Sequence, residues 1–205
     1  MRDPGLSRWD VRYTQDAFLF GEQPNAFLAR QKHRLQPGAR ALAVADGEGR
    51  NGVWLAEQGL EVVSIDGSPI AQTKARRLAD RRGVQVQFEL ADLGEWTWPE
   101  GEFDVVAAIF VQFAGPDLRT RMFSGMRRSL KPGGLLLLEG YRPEQIAYGT
   151  GGPSIAENLY TETLLREAFA GIQILELAAY DAVIEEGEGH SGMSALIDLI
   201  ARQPG

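Results

Sequence analysis

Cysteine is absent from the 205 residues, which excludes disulfides, a thiolate nucleophile and cysteine-ligated metal. Histidine is scarce, and the two isolated residues His33 and His190 do not make a metal-ligand set. No run approaches the roughly 18 apolar residues of a membrane span, and Met1-Arg2-Asp3-Pro4-Gly5 lacks the apolar core of an export signal. Basic residues are outnumbered, 21 Lys and Arg against 28 Asp and Glu, for a formal charge of -7. That balance disfavours sequence-independent affinity for nucleic acid or for an anionic membrane. The expectation is a cytoplasmic protein that handles a small molecule, with no nucleic-acid or membrane partner and an open oligomeric state.

What the chain does have is enough apolar content, 44%, for one well-buried core and too little length for two. We expect a single domain over 1–205, with an N-terminal helical segment at 1–38 and a core at 39–205. From Ala41 to Glu139 strand-like and helix-like runs alternate, the pattern of a doubly wound α/β sheet. The expected strands are 41–45, 61–65, 84–90, 103–110 and 134–139, and the expected helices 50–59, 69–82 and 117–130. Lys131-Pro132-Gly133-Gly134 should end the third helix and turn into a leucine strand buried on both faces. Beyond it, 161–170 reads as helix and 172–180 and 194–202 as two strands. The polar link Glu185-Glu186-Gly187-Glu188-Gly189 would join those strands into an antiparallel pair that closes a mostly parallel, seven-stranded sheet. The last segment also fits a helical period, and topology favours the strand.

The densest signal is Ala41-Leu42-Ala43-Val44-Ala45-Asp46-Gly47-Glu48-Gly49-Arg50-Asn51-Gly52, an apolar strand that breaks into a glycine-rich turn and then a helix start. Glycine lets such a turn close tightly and lets a ligand approach the backbone. Asp66 follows Gly47 by 19 positions and ends the next apolar run, Val62-Val63-Ser64-Ile65. A carboxylate about 20 residues after such a loop can accept hydrogen bonds from ribose hydroxyls. The ligand should therefore carry a ribose.

Taken with Asp66-Gly67-Ser68-Pro69, Ala91-Asp92-Leu93, Lys131-Pro132-Gly133-Gly134, Trp9-Asp10-Val11-Arg12-Tyr13 and Gly21-Glu22-Gln23-Pro24-Asn25, the chain resembles the class I S-adenosylmethionine-dependent methyltransferases. It is most similar to the small bacterial group related to the tellurite-resistance methyltransferase. The resemblance covers nearly the whole chain and implies a Rossmann-like α/β/α sandwich with S-adenosyl-L-methionine as cofactor. It implies that Gly47 and Gly49 border the methionine part, that Asp66 holds the ribose hydroxyls and that Asp92 and Leu93 meet the adenine. Asp46, Asn51, Gly67 and Ser68 complete the implied cofactor set, and Phe110 with Val111 would face the reacting centre. Ala43 stands where the family commonly has an acidic residue and Ala45 replaces the first glycine, so weaker cofactor binding is expected, with Asp46 a possible substitute. The acceptor implied is a small molecule, a thiol or a soft chalcogen anion.

Other residues carry two readings each. Tyr13, Phe20, Gly21 and Asn25 form either a lid that excludes water or a packing arm. Arg142, Tyr148 and the run Gly149-Thr150-Gly151-Gly152 are either substrate contacts beyond the leucine strand or a structural loop. His190 could accept a proton or bind substrate, and His33 reads as a surface residue. Lys74, Arg76, Arg77, Arg81 and Arg82 read as a solvated helix face before an acidic-partner site, and Trp96 and Trp98 as adenine contacts or a packed loop. Gly47, Gly49 and Gly52 also satisfy the dinucleotide pattern, so a nicotinamide-dependent oxidoreductase is the alternative. A non-catalytic cofactor-binding protein is a third reading.

Overall fold

Five parallel strands and a closing antiparallel hairpin make one seven-stranded sheet in the computed structural model, which describes residues 4–205. The N-terminal pentapeptide thus lies partly outside the described residues. The strands are β1 (Arg40–Val44), β2 (Glu61–Asp66), β3 (Gln87–Leu90), β4 (Phe103–Ile109), β5 (Leu130–Tyr141), β6 (Gln173–Glu185) and β7 (Ser191–Arg202). Their order is β3-β2-β1-β4-β5-β7-β6. The chain reverses direction across the sheet between β1 and β4, and a crevice opens there beyond the carboxyl ends of the strands.

Helices α1 (Pro4–Arg12) and α2 (Ala26–Arg30) precede the sheet. Between and beyond the strands come α3 (Arg50–Glu57), α4 (Pro69–Arg82), α5 (Pro116–Ser129), α6 (Gln145–Tyr148) and α7 (Glu162–Ala168). Ser68 caps α4 by accepting from Ala71 N, with Pro69 at the first helical position and Gly83 in the left-handed conformation at its end. Alternation along the central strands splits the core between the two faces. Leu42, Val44, Val106, Leu136 and Leu138 pack on one side; Ala41, Ala43, Val105, Ala107 and Leu137 pack on the other. Among the described residues no helix is long and apolar enough to cross a membrane.

Three expectations need correction. Residues 84–86 do not join the ladder, since β3 pairs with β2 only from Gln87 onward. The Pro-Gly-Gly turn sits inside β5 as a register shift, with Leu130 opposite Phe103 and Leu135 opposite Val105. Gly133 N is held there by Gln203 O at 2.9 Å. The closing hairpin is longer than the hydropathy indicated, because the β6–β7 ladder continues to Glu185 opposite Ser191. The expected pair of strands is present, and the joining link is residues 186–190.

Helix α5 carries one glycine whose role is steric. A β-carbon on Gly125 would stand 2.2 Å from the Trp98 ring, which packs edge-on to Trp96 at 5.0 Å. Neither tryptophan lines the central cavity, so the packed-loop reading holds for both. Glycine to alanine within a helix ordinarily gains about 1 kcal/mol. Here Gly125→Ala should instead destabilise by roughly 1–3 kcal/mol through overpacking, measured by urea unfolding.

Candidate functional site

A cavity of about 440 Å³ opens at the carboxyl ends of the parallel strands. Each strand delivers a piece of its wall: Ala45, Asp46 and Gly47 after β1, Asp66 and Gly67 from β2, Ala91 to Leu93 after β3, Ile109 and Phe110 from β4, and Tyr141 from β5. The roof comes from Trp9, Arg12, Tyr13 and Phe20 of the N-terminal segment and from Gly189 and His190 of the β6–β7 link.

The floor is built around backbone donors. Asp66 accepts from Gly47 N and from Ser68 N, both at 2.8 Å, which fixes its carboxylate at the cavity wall. Burial raises its pKa against these hydrogen bonds. Gly47, at φ 57, leaves no room for a β-carbon, which would meet the Tyr13 hydroxyl at 2.9 Å. Gly49 serves packing: at φ 87, a β-carbon there would stand 2.6 Å from Ala75 of α4. Asp92 accepts from Gly94 N at 2.8 Å, and Leu93 is a buried neighbour on the same wall.

Some expected residues line the cavity while engaged in bonds of their own, and others lie away from it. Asp46 turns inward, accepting from Gly52 N at 3.1 Å and from the Ser64 hydroxyl at 2.8 Å, and burial pushes its pKa up to about 7. Its carboxylate therefore clamps the start of α3. Ser68 is fully buried as the α4 cap and donates to Asp10 at 2.5 Å, away from the cavity. Val111 is buried in the core while Phe110 lines the cavity. Asn51 lines the cavity, but its side-chain oxygen accepts from Asn25 N at 2.9 Å. Arg142 and Tyr148 face outward to Asp181, Arg142 by an ion pair and Tyr148 by a hydrogen bond of 2.8 Å. They contribute nothing to the cavity wall, whereas Gly151 and Gly152 of the same loop do.

Lys74 also departs from its expected place on a solvated face. It is buried, pairs with Glu48 of the glycine loop and donates to Gln15 O at 2.9 Å and Ala17 O at 2.6 Å. Glu48 in turn accepts from Leu19 N at 2.8 Å. Arg81 pairs with Glu22 at 2.8 Å. Lys74 and Arg81 of α4 thus tie residues 15–22 down, whereas Arg76 donates to Phe88 O at 3.3 Å and Arg82 pairs with Glu57 at 3.6 Å. His33 is exposed, with Nδ1 3.0 Å from Arg30 O.

Tyr141 and His190 meet at the far end of the cavity. Phe110 stacks on Tyr141 at 4.6 Å, and both Phe110 and Phe20 lie 4.4 Å from the His190 ring. Burial, then the charges of Arg50 and Arg12, push His190 down to about 3 and keep it neutral. Burial raises Tyr141. Sequence reasoning missed Tyr141 because it ended β5 at Glu139. It also missed Arg12, Leu118 and Phe113, which carry no spacing signal.

Behind Tyr141, Glu139 and Asp198 stand opposite each other on the β5–β7 ladder. Burial and the neighbouring Asp198 raise Glu139, and Asp198 rises to about 6 through burial. Arg30 lies 3.2 Å from Asp198, and Asn25 Nδ2 donates to Glu139. Among the described residues no cluster of three or more His, Asp or Glu side chains is arranged to hold a metal ion.

The sheet order, its antiparallel closing hairpin and a glycine loop feeding a cavity at the switch point define the class I methyltransferase fold, a Rossmann-like α/β/α sandwich. Within it, residues 41–134 match the family model described as a methyltransferase domain. An uncharacterized methyltransferase of Synechocystis sp. is 33% identical over 125 residues, 60% of this chain and 57% of that relative. A demethylmenaquinone methyltransferase of Thermus thermophilus is 36% identical over 113 residues, 54% of this chain and 51% of that one. The chain thus spans about half the length of these curated relatives. The N-methyltransferase NodS of Bradyrhizobium japonicum, solved with S-adenosylhomocysteine, superposes with a TM-score of 0.75 at 16% identity, covering 99% of this chain and 100% of that one.

Ala45 holds φ 49 where glycine would be relaxed. Ala45→Gly should stabilise the protein by about 1 kcal/mol, net of glycine's greater unfolded-state entropy, seen as a higher urea midpoint. Protons set a second expectation. The folded state binds protons more tightly than the unfolded at Asp46, Asp198 and Glu139, so their contribution is present at low pH and is lost as pH rises through about 7. His190, depressed to about 3, works the other way below its unfolded pKa of 6.5, and one histidine is outweighed by three carboxylates. Unfolding free energy should therefore be higher at pH 5 than at pH 8, and Asp46→Asn should flatten the decline.

Proposed function

We propose that the protein is a methyltransferase that uses S-adenosyl-L-methionine to methylate a small-molecule acceptor. The observation that carries this is the convergence on one cavity of the glycine loop, Asp66 and the Asp92-Leu93 pair, at the switch point of a methyltransferase-type sheet. Likeness to the methyltransferase domain model and to named methyltransferases supports the same reading. The cavity's size sits in the lower half of the range of about 300–1,000 Å³ usual for ligand pockets. That leaves space for a small acceptor beside a nucleoside.

The residues present fit the cofactor. Asp66, already oriented by Gly47 N and Ser68 N, would accept from the ribose hydroxyls. Asp92 and Leu93, with Ala91 and Leu118, would flank the adenine, and the bare backbone of Gly47 would lie against the methionine part. Ala45 keeps the loop's left-handed turn without glycine. With no carboxylate at Ala43 and the Asp46 carboxylate on the cavity wall already engaged by Gly52 N and Ser64, the cofactor's amino-acid end would find no free acidic side chain on the loop, and binding is expected to be weaker for it.

When bound, the cofactor supplies a methyl group activated by a sulfonium. The protein's part is to align the acceptor and exclude water. Tyr13 and Phe20 close the roof, and the straps from Lys74 and Glu48 hold that roof shut. Resemblance to the tellurite-resistance group suggests a thiol or a soft chalcogen anion as acceptor. Isothermal titration with S-adenosylhomocysteine should show binding that Asp66→Ala weakens by roughly 10- to 100-fold, the worth of charge-assisted hydrogen bonds. No heat with the intact protein, or equal affinity in the variant, would remove the basis of this reading.

A further inference from the structure

Three arginines line the cavity, and they are not equivalent. Arg50 is buried in an ion pair with Glu186 at 2.6 Å. Arg8 and Arg12 are exposed, stand one helical turn apart on α1 and have no carboxylate partner among the described residues. The Arg12 guanidinium sits 4.6 Å from the centre of the Trp9 ring and 5.7 Å from that of Phe20. Ring faces hold it at the rim and leave its N–H edge for an oxygen anion. Exposed arginines are common, but two on the wall of one cavity, in a chain of net charge -7, set the local field at its mouth.

The same cavity carries exposed apolar surface. Phe113 and Ile155 line it yet stay 37% and 57% exposed. Inward from the rim, Arg12 lies against Phe20, the Phe20 ring is 4.4 Å from that of His190, and His190 is 4.4 Å from Phe110. Two rings thus lead from the Arg12 cation to Phe110, at the end of β4, where the methyl-transfer reading puts the reacting centre. A bare inorganic oxyanion is too small to touch both. A molecule that holds the arginines and presents a nucleophile beside Phe110 needs an organic body between them, and ring faces with apolar side chains suit an apolar one.

Resting on the methyltransferase reading, we propose that Arg8 and Arg12 select the acceptor, and that the acceptor is an organic acid: an apolar body with the nucleophilic atom at one end and a carboxylate or phosphate at the other. The acid group stays at the rim in contact with water, where pairing with arginine costs little desolvation. The nucleophile passes inward along Phe20, and the aromatic wall with Phe113 and Ile155 covers the body. Two cations at the entrance also draw anions in against the net charge of the chain. A neutral molecule of the same shape would have the apolar contact alone, and an inorganic oxyanion the charge alone. The arginines touch the acceptor away from its reacting atom, so they hold ground state and transition state equally and act on KM rather than kcat.

The test uses the full chain, the Arg8→Gln/Arg12→Gln double variant and Arg12→Lys. S-adenosylhomocysteine titration comes first, and all three proteins should agree within about 3-fold. Initial rates follow with aromatic thiols, amines and phenols that carry a carboxylate or a phosphate, each beside a neutral analogue, and with selenite and tellurite. At least one acid should turn over with kcat/KM about 10-fold above its neutral analogue, the worth of two partly exposed charge pairs. The double variant should erase that preference by raising KM with kcat held. Arg12→Lys should keep part of it, and added salt should weaken it. Whether carboxylates or phosphates gain more identifies the head group. A loss of S-adenosylhomocysteine affinity of about 10-fold or more in the double variant would assign the arginines to the cofactor's own carboxylate and overturn the proposal. Equal kcat/KM for acids and neutral analogues, an acid preference that survives the double variant, turnover of selenite or tellurite alone, or no turnover of any panel member would overturn it too. Failure of the wild type to bind S-adenosylhomocysteine would instead bring down the parent reading, and this one with it.

Discussion

Glu186 is the carboxylate on which the site's closure depends. It lies in the β6–β7 link, near the C-terminal end of the sequence, yet it accepts from Arg50 at 2.6 Å, from Ala26 N at 2.9 Å and from Asn25 Nδ2 at 3.1 Å. One side chain thus joins the helix that follows the glycine loop, the N-terminal segment and the closing hairpin. A buried ion pair gains little over a hydrophobic contact, but losing one partner strands the other charge. These three chain segments are therefore coupled: displacing the link strands the buried Arg50 charge and takes one acceptor from Asn25, which keeps its bond to Glu139. The link is fitted to the roof sterically too, since β-carbons on Gly187 and Gly189 would meet Leu19 O at 2.5 Å and the Phe20 ring at 2.3 Å.

Among the described residues two other than glycine hold a left-handed backbone, and both lie on the cavity. Ala45 at φ 49 and Phe110 at φ 54 follow β1 and β4, the two strands flanking the switch point. Left-handed conformation at residues other than glycine is costly and persists where surrounding structure over-determines it. For Phe110 the constraint is visible: its N–H is held by Glu139 O at 2.9 Å, and its ring is packed between Tyr141 and His190. The turn aims that ring into the cavity while Val111 continues into the core.

The parts of the site legible in the sequence are those that local chemistry dictates. The glycine loop, the position of Asp66 and the strand-helix alternation depend on φ, on spacing and on hydrophobic period, all short-range properties. What stayed hidden depends on partners distant in sequence. Asp46 reads as a loop carboxylate until Ser64, 18 residues on, claims it. Lys74 reads as one charge on a polar helix until Gln15 and Ala17 supply carbonyls from 57 to 59 residues away. Tyr141 was missed for a different reason. The apolar run ends at Leu138, but the ladder continues through Glu139 to Tyr141 opposite Leu196, so the hydropathy edge and the strand edge differ.

The same distinction bears on chemistry. The end of the cavity that the sequence displays holds the carboxylates, Asp66 and Asp92, that suit the hydroxyls and amino groups of a nucleoside. The end assembled by tertiary contact has a different character: aromatic faces, an imidazole that burial keeps neutral and a phenol, with the buried carboxyls of Glu139 and Asp198 on the adjoining ladder. The methyl transfer we propose, which would move positive charge from a sulfonium to an acceptor, needs both properties. Hydrogen bonds must fix the donor, and a medium without counterions must not hold charge in the ground state more tightly than in the transition state. The second end is made by residues from β4, β5 and the β6–β7 link, and is completed by the link's packing against the N-terminal segment. Under the methyl-transfer reading we propose, an acceptor would meet a wall made by tertiary contact, whereas the nucleoside's contacts would sit on strand ends.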